Sequence, residues 1–293
     1  MTKTVGMIGL GRMGKASAKR FLEQGFRVIG YERRPEVTDE LGSMGVEVAP
    51  NSREVAQVAK TNIVFVLNDR QVIDVVTGPD GLLEACDRDS TIICMSTIRR
   101  DNLEWVAAQC QEKGVGFIDC PCTGGPARVE AGTLTMIAAA PEELLEASRP
   151  VLETLGKIVR AGGRPGLGQA VKHCNQLLVG TTHAAVMEVI TMARKSGLDP
   201  RLVCEVIGSG IAGSDYFRLL SASVLDRGPA PGGLGQMCKD IDIVVHSGRR
   251  LKLPLYVATA AYQYFLAAQS LGMEDLEASE LIKVLERLTE PGC

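Results

Sequence analysis

The sequence predicts an α/β fold in which a doubly wound parallel sheet is followed by an all-helical C-terminal domain, joined to it by a long interdomain helix. Three observations lead to this prediction. Short β-branched runs alternate with amphipathic segments through the first half of the chain, the alternation stops near Gly168, and only helical segments follow. With 293 residues, the chain also exceeds the usual size of one domain.

The predicted strands are short apolar runs separated by longer stretches with helical spacing. The strands are TVGMIG (4–9), RVIGY (27–31), NIVFVL (62–67), TIICMS (91–96), VGFID (115–119) and TLTMIA (133–138). Stretches between them, such as RMGKASAKRFLEQG, carry apolar residues at helical spacing and stop at glycine, as crossover helices do. Strands that alternate with helices in this way predict a parallel sheet.

A segment rich in glycine, AGGRPGLG (161–168), ends this alternation. From Gln169 onward, helical segments are broken at SGLDP, RGPAPGGLG and LKLP, and no convincing strand is found. We therefore predict an N-terminal domain over residues 1–165 and an all-α domain over residues 166–293 that begins with the long helix.

Charge and hydropathy exclude two classes of partner. The formal net charge is −3 and no run of Lys or Arg occurs, so the sequence predicts neither a nucleic acid nor an anionic membrane surface as a partner. The apolar stretch 177–193 contains Gly180, His183 and Glu188, which favours a helix buried between protein layers over a membrane span. A small molecule is the predicted partner.

The nine cysteines are odd in number and follow no disulfide framework, and no secretory signal precedes the first predicted strand. We therefore expect reduced thiols, mostly buried, in a cytoplasmic protein. Cys120 and Cys122 leave one residue between them, whereas zinc ligands normally leave two or more, so no metal site is predicted.

The segment GLGRMG (9–14) has the spacing of a dinucleotide-binding loop. Its glycines stand in G-x-G-x-x-G order, directly after the first predicted strand and at the start of a helix. A tight turn there lets backbone N–H groups and the helix N-terminus face a pyrophosphate. The alternative is a glycine-rich turn with no ligand. We predict a Rossmann-type cofactor site that includes Gly9, Leu10, Gly11, Arg12, Met13 and Gly14.

An acid follows the second predicted strand. Glu32 stands 18 residues after Gly14, where a carboxylate accepts hydrogen bonds from the ribose hydroxyls of adenosine. A carboxylate repels the 2′-phosphate of NADP, whereas Arg33 and Arg34, which come next, are able to bind it. The predicted cofactor is therefore NAD or NADP: Glu32 favours NAD, and the two arginines leave NADP open.

One charged side chain stands near the start of an otherwise apolar helix, in GLGQAVKHCNQLLVG (166–180). Lys172, Asn175 and Gln176 are spaced i, i+3 and i+4, which places them on one face of the helix. An apolar setting lowers the pKa of a lysine, so Lys172 is a candidate proton donor and acceptor. The alternative is a surface lysine at a helix start.

Two histidines and a cysteine lie on the same helix but are not assigned to chemistry. His173 points about 100° away from Lys172 around the helix. Cys174 also lies off that face, and we expect His173, His183 and Cys174 to serve packing.

Four motifs occur in the order found in the β-hydroxyacid dehydrogenase family. IGLGRMG (8–14) resembles the family's cofactor signature, and DCPCTGGPARVEAGTL (119–134) resembles its D-A-P-V-S-G-G substrate motif. GLGQAVKHCNQ (166–176) resembles G-x-G-x-x-x-K-x-x-N-N, and KDIDI (239–243) resembles the K-D segment of the helical domain. The similarity extends from about residue 4 to about residue 285.

The resemblance implies an NAD(P)-dependent oxidoreductase that interconverts a short 3-hydroxy or 4-hydroxy carboxylic acid and its semialdehyde. It implies that Lys172 is the catalytic general acid and base, and that Asn175 and Gln176 contact the substrate. Relatives bury their helical domains against each other, so a homodimer or homotetramer is expected.

The resemblance also assigns roles outside the lysine helix. The substrate carboxylate is expected to bind Thr123, Gly124 and Gly125, through a hydroxyl and backbone N–H groups, and Ser96 and Thr97 are expected beside the nicotinamide and substrate. Further expected contacts are made to the cofactor by Leu67, Asn68 and Lys239, and to the substrate by Asp240.

Five residues depart from the family pattern, among them Cys120 and Cys122, which replace Ala and Val around Pro121. Gln176 replaces the usual second Asn, Thr123 replaces the usual Ser, and Gly232 stands where several relatives carry an aromatic residue. Two other functions stay open at this point: an imine reductase, although these enzymes usually replace the lysine, and a cofactor-bound module without catalytic activity.

Overall fold

The computed structural model describes residues 3–228 and 232–289. The chain divides into two compact units, one that ends at Lys172 and one that begins at His173. The predicted boundary at residues 165 and 166 lies just before the helix Leu167–Lys195, whereas this division falls inside it.

One sheet forms the centre of the N-terminal unit. Its strands are β1 (Thr4–Ile8), β2 (Arg27–Tyr31), β3 (Glu47–Val48), β4 (Thr61–Val64), β5 (Thr91–Cys94), β6 (Gly116–Asp119), β7 (Cys122–Thr123), β8 (Leu134–Ala139) and β9 (Gly156–Gly162). They stand in the order β3-β2-β1-β4-β5-β6-β8-β7, with β9 paired to β8. The order reverses between β1 and β4, and ligands in such sheets bind beside the carboxyl ends of the strands at this point.

The predicted fold class is confirmed, with an exception at one edge of the sheet. The strands from β3 to β6 pair in parallel. β8 is antiparallel to β6 and β7 and parallel to β9. Only residues 124–133 separate β7 from β8, whereas a parallel crossover needs about a dozen or more residues, so this pair is antiparallel. Strand β9 is not predicted from the sequence, because its partly exposed residues lack a long apolar run.

Helices cover both faces of this sheet. They are α1 (Arg12–Glu23), α2 (Thr38–Ser43), α3 (Ser52–Val58), α4 (Asp69–Thr77), α5 (Arg100–Glu112), α6 (Gly125–Glu130) and α7 (Glu142–Leu155). Met7 of β1 belongs to the apolar cluster that contains Phe21 of α1, whereas its neighbour Ile8 belongs to the cluster that contains Leu103 of α5. Because successive side chains of a strand point to opposite faces, the sheet is doubly wound.

The described residues of the C-terminal unit contain helices and no strand, as predicted. The helices are α8 (Leu167–Lys195), which begins in the N-terminal unit, α9 (Pro200–Ser209), α10 (Asp215–Asp226), α11 (Leu234–Arg250), α12 (Tyr256–Ser270) and α13 (Ile282–Thr289). Met187, Leu220, Ile241 and Phe265 lie in its buried apolar core. Across residues 3–228 and 232–289, no helix has the length and apolar character that crossing a membrane requires.

Candidate active site

The glycine loop follows β1, as predicted. Gly9 has a φ of +87°, a conformation that favours glycine, and its N–H donates to the carbonyl of Tyr31 at 2.9 Å. A Cβ at Gly14 would stand 2.0 Å from the carbonyl oxygen of Gly9, so glycine is what lets α1 approach β1 this closely. A Cβ at Gly11 would meet only the tip of Arg34, at 3.8 Å, which leaves this part of the loop accessible to a ligand.

The N-terminus of α1 suits a phosphate. Within the described residues, no side chain caps α1 at Gly11, and its first turn holds no acidic residue. Backbone N–H groups at such a terminus bind anions. Leu10 is buried, Met13 is half-buried and Arg12 is exposed, so Arg12 is the cation of the loop that solvent reaches. These features fit the pyrophosphate of a dinucleotide.

Glu32 lies directly after β2, at the position predicted for a ribose acceptor. Its carboxylate accepts hydrogen bonds from the backbone N–H of Leu10 at 2.9 Å and from Nε of Arg34 at 3.0 Å. Burial raises the pKa of Glu32, but the hydrogen bonds from Arg34 and Leu10 outweigh burial, and the pKa lies below its usual value. A cavity of about 500 Å³ adjoins this position and is lined in part by Glu32, Arg33 and Thr38.

Leu67 and Asn68 lie between β4 and α4. The side chain of Leu67 is 51% exposed, as a surface contact for a cofactor would be. Oδ1 of Asn68 accepts a hydrogen bond from the backbone N–H of Gln71 at 3.0 Å and caps α4. The fold therefore uses Asn68 as a helix cap, and its contact with a cofactor stays a prediction.

Ser96 and Thr97 follow β5. The hydroxyl of Ser96 donates to the carbonyl of Val66 at 2.8 Å and accepts from the N–H of Val66 at 2.9 Å. Ser96 is 3% exposed, so its hydroxyl joins the ends of β4 and β5 and does not face solvent. Thr97 is half-buried.

Two buried residues that were not predicted as site residues, Asp119 and Gln169, connect these strands to α8. Oδ2 of Asp119 accepts hydrogen bonds from the backbone N–H groups of Gly166 at 2.8 Å and Gln169 at 3.1 Å. The side chain of Gln169 donates to the carbonyl of Ser96 at 3.0 Å and accepts from the N–H of Ile98 at 3.1 Å. Burial raises the pKa of Asp119 to about 6, against the hydrogen bonds from Gln169 and Gly166. Asp119 and Gln169 belong to two of the motifs found in the sequence, but that they join the strands to α8 was not predicted.

Lys172 is buried near the start of α8, with 7% of its surface exposed. Burial raises the pKa of Cys122 to about 11, and the positive charge of Lys172 opposes this shift. The ammonium group therefore lies near β7, which leads into Gly124 and Gly125. These glycines have φ values of +134° and +75°, which turn the backbone sharply after Thr123. The alternative of a surface lysine is wrong.

In the C-terminal unit, four predicted residues form one chain of polar contacts. The amide of Asn175 donates to Oε1 of Gln176 at 2.8 Å, and Nε2 of Gln176 donates to Oδ2 of Asp240 at 2.5 Å. Nζ of Lys239 lies 2.8 Å from Oδ1 of Asp240. Asp240 is 1% exposed, so its carboxylate holds two neighbouring side chains. Its predicted contact with substrate stays a prediction.

The three packing assignments on α8 have different outcomes. His173 and His183 are buried, as predicted, and Nδ1 of His173 lies 2.9 Å from Oγ of Ser247. Cys174 is exposed, so its predicted place in the core is wrong. The reason is that α8 buries its polar face here, the face of Lys172, and exposes the opposite one.

The cysteines described by the structure are all unpaired thiols, and Cys94, Cys110, Cys120, Cys204 and Cys238 are buried. Cys293 lies outside the described residues. Among residues 3–228 and 232–289, no cluster of three His, Cys, Asp or Glu side chains has the arrangement of a metal site.

Comparison with known proteins places this arrangement in a family. Residues 4–163 match the family model of the NAD-binding domain of 6-phosphogluconate dehydrogenase, and residues 166–285 match that for NAD binding in NADP-dependent 3-hydroxyisobutyrate dehydrogenase. The chain is 31% identical to the 2-(hydroxymethyl)glutarate dehydrogenase of Eubacterium barkeri, over 97% of this chain and 95% of the relative. It is 30% identical to the L-threonate dehydrogenase of Cupriavidus necator, over 100% of this chain and 99% of the relative. The chain belongs to the β-hydroxyacid dehydrogenase family.

Solved structures agree with this membership. The 3-hydroxyisobutyrate dehydrogenase of Salmonella typhimurium matches with a TM-score of 0.88 and 27% identity, over 96% of this chain and 99% of that one. Psf3 in complex with NADP+ and 2-OPP matches with a TM-score of 0.87 and 28% identity, over the same shares of the two chains. An imine reductase from Pseudomonas sp. has a TM-score of 0.64 and 19% identity, over 97% of this chain and 100% of that one, and shares the fold. As a β-hydroxyacid dehydrogenase, this chain is an NAD(P)-dependent oxidoreductase.

Proposed function

We propose that this β-hydroxyacid dehydrogenase interconverts a short 3-hydroxy carboxylic acid, or a 4-hydroxy analogue, and its semialdehyde, with Lys172 as the general acid and base. The observation that carries the proposal is a lysine buried near the start of α8, with its charge close to Cys122 and hence to the loop at Thr123. A buried lysine with no task in binding or catalysis is uncommon, because burial of an ammonium group is costly.

The proposed chemistry divides between the cofactor and this chain. A bound nicotinamide would give or take the hydride at the carbon that carries the oxygen. Lys172 would give a proton to that oxygen when the substrate is reduced, and would take it back when the substrate is oxidised. Proton transfer of this kind contributes a factor of about 10² to 10⁴ in rate.

The substrate carboxylate is proposed to bind at the loop that follows β7. Thr123 offers a hydroxyl, and Gly124 and Gly125 offer backbone N–H groups without a side chain over them. A Cβ at Gly125 would meet no atom within 4 Å, which supports open space beside this backbone. An anion held here, near the positive charge of Lys172, would fix the distance between the carboxylate and the reacting carbon. That distance would select for the length of the hydroxy acid.

We propose that NAD is the preferred cofactor. Glu32 supports this choice, because its low pKa keeps a negative charge where NADP carries its 2′-phosphate. Arg34 is bound to Glu32, so its charge is directed to that carboxylate. Arg33 is the residue that would allow a lower activity with NADP.

The enzyme is proposed to act as a homo-oligomer in the cytoplasm. Leu178 and Met192 support self-association, because these apolar residues stand on one side of α8, two heptads apart, and are 67% and 72% exposed. The odd number of cysteines supports a reducing compartment. Light scattering of the purified chain would measure the oligomer.

A panel of substrates tests the proposed function. Short 2-, 3- and 4-hydroxy acids and cyclic imines are assayed with NAD(H) and NADP(H). We expect turnover of 3-hydroxy acids and their semialdehydes and none of imines. Reduction of imines alone would make the chain an imine reductase, and tight cofactor binding without any turnover would make it a non-catalytic module.

A further inference from the structure

Asp119 holds the first turn of α8 in place. It is fully buried at the carboxyl end of β6, and one of its oxygens accepts the backbone N–H groups of both Gly166 and Gln169. An acid at a helix N-terminus satisfies N–H groups that have no partner within the helix. The start of α8 is therefore tied to the end of β6 by a buried carboxylate that binds backbone N–H groups, whose positions are fixed by the helix.

Gln169 extends this tie to a second strand. Its amide is fully buried, donates to the carbonyl of Ser96 and to Oδ1 of Asp119, and accepts from the N–H of Ile98. Both N–H groups of the amide and its oxygen are thus engaged with atoms of the N-terminal unit. The two residues on either side of Thr97 are fixed to α8 by a single side chain.

Gly168 shows how closely this part of α8 packs. A Cβ at this position would stand 2.7 Å from the carbonyl oxygen of Ile137 and 2.9 Å from the carboxylate of Asp119. Any larger residue would push the helix start away from the sheet. Lys172 follows Gln169 by three residues, about 4.5 Å along the helix axis, so a shift of this turn moves the base of the Lys172 side chain with it.

We propose that Asp119 and Gln169 are positioning residues that act through Lys172, by fixing the first turn of α8 to the ends of β5 and β6. The proposal rests on the proposed function of Lys172. Neither residue is required to touch the substrate or the cofactor. Their effect on turnover is expected to disappear when Lys172 is absent.

A double-mutant cycle with a matched control tests this proposal. Gln169→Met keeps the length of the side chain and removes its hydrogen bonds. Asn62→Leu does the same at a fully buried amide of β4, which donates to the carbonyl of Ala59 at 3.0 Å. We expect both variants to lower stability, measured by urea unfolding. Only Gln169→Met is expected to lower kcat, by about tenfold or more, with KM for the cofactor changed by less than about twofold.

In the Lys172→Ala background, Gln169→Met should change kcat by less than about twofold, because the group that it positions is gone. An equal loss in both backgrounds would assign Gln169 a structural role only and overturn the proposal. If Gln169→Met does not fold, Gln169→Asn serves in the same cycle, since it keeps a neutral amide but is one carbon too short to reach Ser96, Ile98 and Asp119 together.

A second measurement, by NMR spectroscopy, does not depend on turnover. In protein labelled with 13C at the lysine ε-carbon, the Lys172 signal is assigned by its loss in Lys172→Ala. Its chemical shift should move in Gln169→Met and not in Asn62→Leu. An unmoved signal in both would contradict the proposal. If the wild type oxidises no hydroxy acid, the proposed function is wrong. The NMR measurement still shows whether Gln169 fixes the position of Lys172.

Discussion

The two units hold their buried polar groups in different ways. In the N-terminal unit, Asp119 and Gln169 bind mainly backbone atoms of two strands and a helix start. In the C-terminal unit, the contacts from Asn175 through Gln176 and Asp240 to Lys239 join side chains only. Backbone partners are fixed by the fold, whereas side-chain partners rely on rotamers, whose restriction costs entropy.

This difference separates two requirements of an enzyme. A group that transfers protons needs one fixed position, and a backbone-bound support provides it. Side chains that fit a variable substrate need to be able to exchange partners. We therefore expect substitutions of Asp119 and Gln169 to affect kcat. Substitutions in the polar contacts from Asn175 to Lys239 are expected to affect KM for the substrate.

The largest effect is expected for the amine itself. Lys172→Ala should lower kcat by at least about 100-fold, since it removes the proposed proton donor and acceptor. The Kd for the cofactor, measured by fluorescence titration, should change by less than about twofold. A variant that retains turnover would remove Lys172 from the mechanism.

The two units should respond to pH in opposite directions. In the N-terminal unit, the folded pKa of Asp119 is about 6, raised by burial above its unfolded value of about 3.9. The stability that Asp119 contributes is therefore present below pH 4 and is lost as the pH rises through 6. The free energy of unfolding of wild type minus that of Asp119→Asn should fall by about 2 kcal/mol from pH 4 to pH 7, measured by urea unfolding. A difference that does not depend on pH would show that Asp119 does not titrate in this range.

In the C-terminal unit, the stability that His183 contributes is expected to depend on pH in the opposite direction. Its ring nitrogens lie 2.9 Å from the carbonyl oxygen of Ala278 and 2.9 Å from the hydroxyl of Tyr216. The carbonyl only accepts, so Nε2 carries the proton and Nδ1 accepts from Tyr216.

Burial lowers the pKa of His183 to about 4, against the hydrogen bond to Ala278. The unfolded residue takes up a proton near pH 6.5, so the stability that His183 contributes is present above that pH and is lost as the pH falls toward 4. The free energy of unfolding of wild type minus that of His183→Gln should rise by about 3 kcal/mol from pH 4 to pH 7. If the two differences in the free energy of unfolding changed in the same direction with pH, the predicted contrast between His183 and Asp119 would be wrong.

A smaller effect is expected for the polar contacts between side chains of the C-terminal unit. Asp240→Asn keeps the shape of the residue and removes the charge that Lys239 contacts. Gln176 can retain an acceptor after the new amide rotates. We expect KM for the hydroxy acid to rise about tenfold, with kcat within about threefold of wild type. Asp242→Asn, on the same helix, is the control, and an equal effect of both variants would count against a specific role for Asp240.

The last effect, of similar size, concerns the choice of cofactor. Glu32→Gln removes the charge that repels a 2′-phosphate and releases Arg34 to bind it. The ratio of kcat/KM for NADPH to that for NADH should rise about tenfold. Glu36→Gln, at an exposed acid of the same segment, should leave the ratio unchanged. A wild type that already prefers NADPH would reverse the proposed preference.

The sequence predicts those features that depend on local pattern. The glycine loop at Gly9, the acid at Glu32 and the strands of the parallel sheet all follow from short-range spacing. The antiparallel pairing of β8 depends instead on the short connection from β7. The roles of Asp119 and Gln169 depend on contacts between residues 47 to 73 positions apart. The spacing of apolar residues along the sequence gives no information about contacts between residues this far apart.

Helix α8 shows why the burial of Cys174 was mispredicted. Its apolar residues Val171 and Leu178 are 45% and 67% exposed, while Lys172 and Gln176 are buried. Hydrophobic periodicity assigns the apolar side to the core. The rule fails here because the buried face carries the predicted site residues.

The single amide of Gln169 also constrains how the chain acquires activity. Its partners lie in two segments, one after β5 and one at the end of β6, and the start of α8 cannot dock until β5 and β6 are already neighbours. Contacts of such long sequence separation form slowly. During refolding, recovery of catalysis should therefore trail recovery of the sheet's circular dichroism signal. We therefore expect a partly folded chain to oxidise no substrate before the sheet of the N-terminal unit is complete.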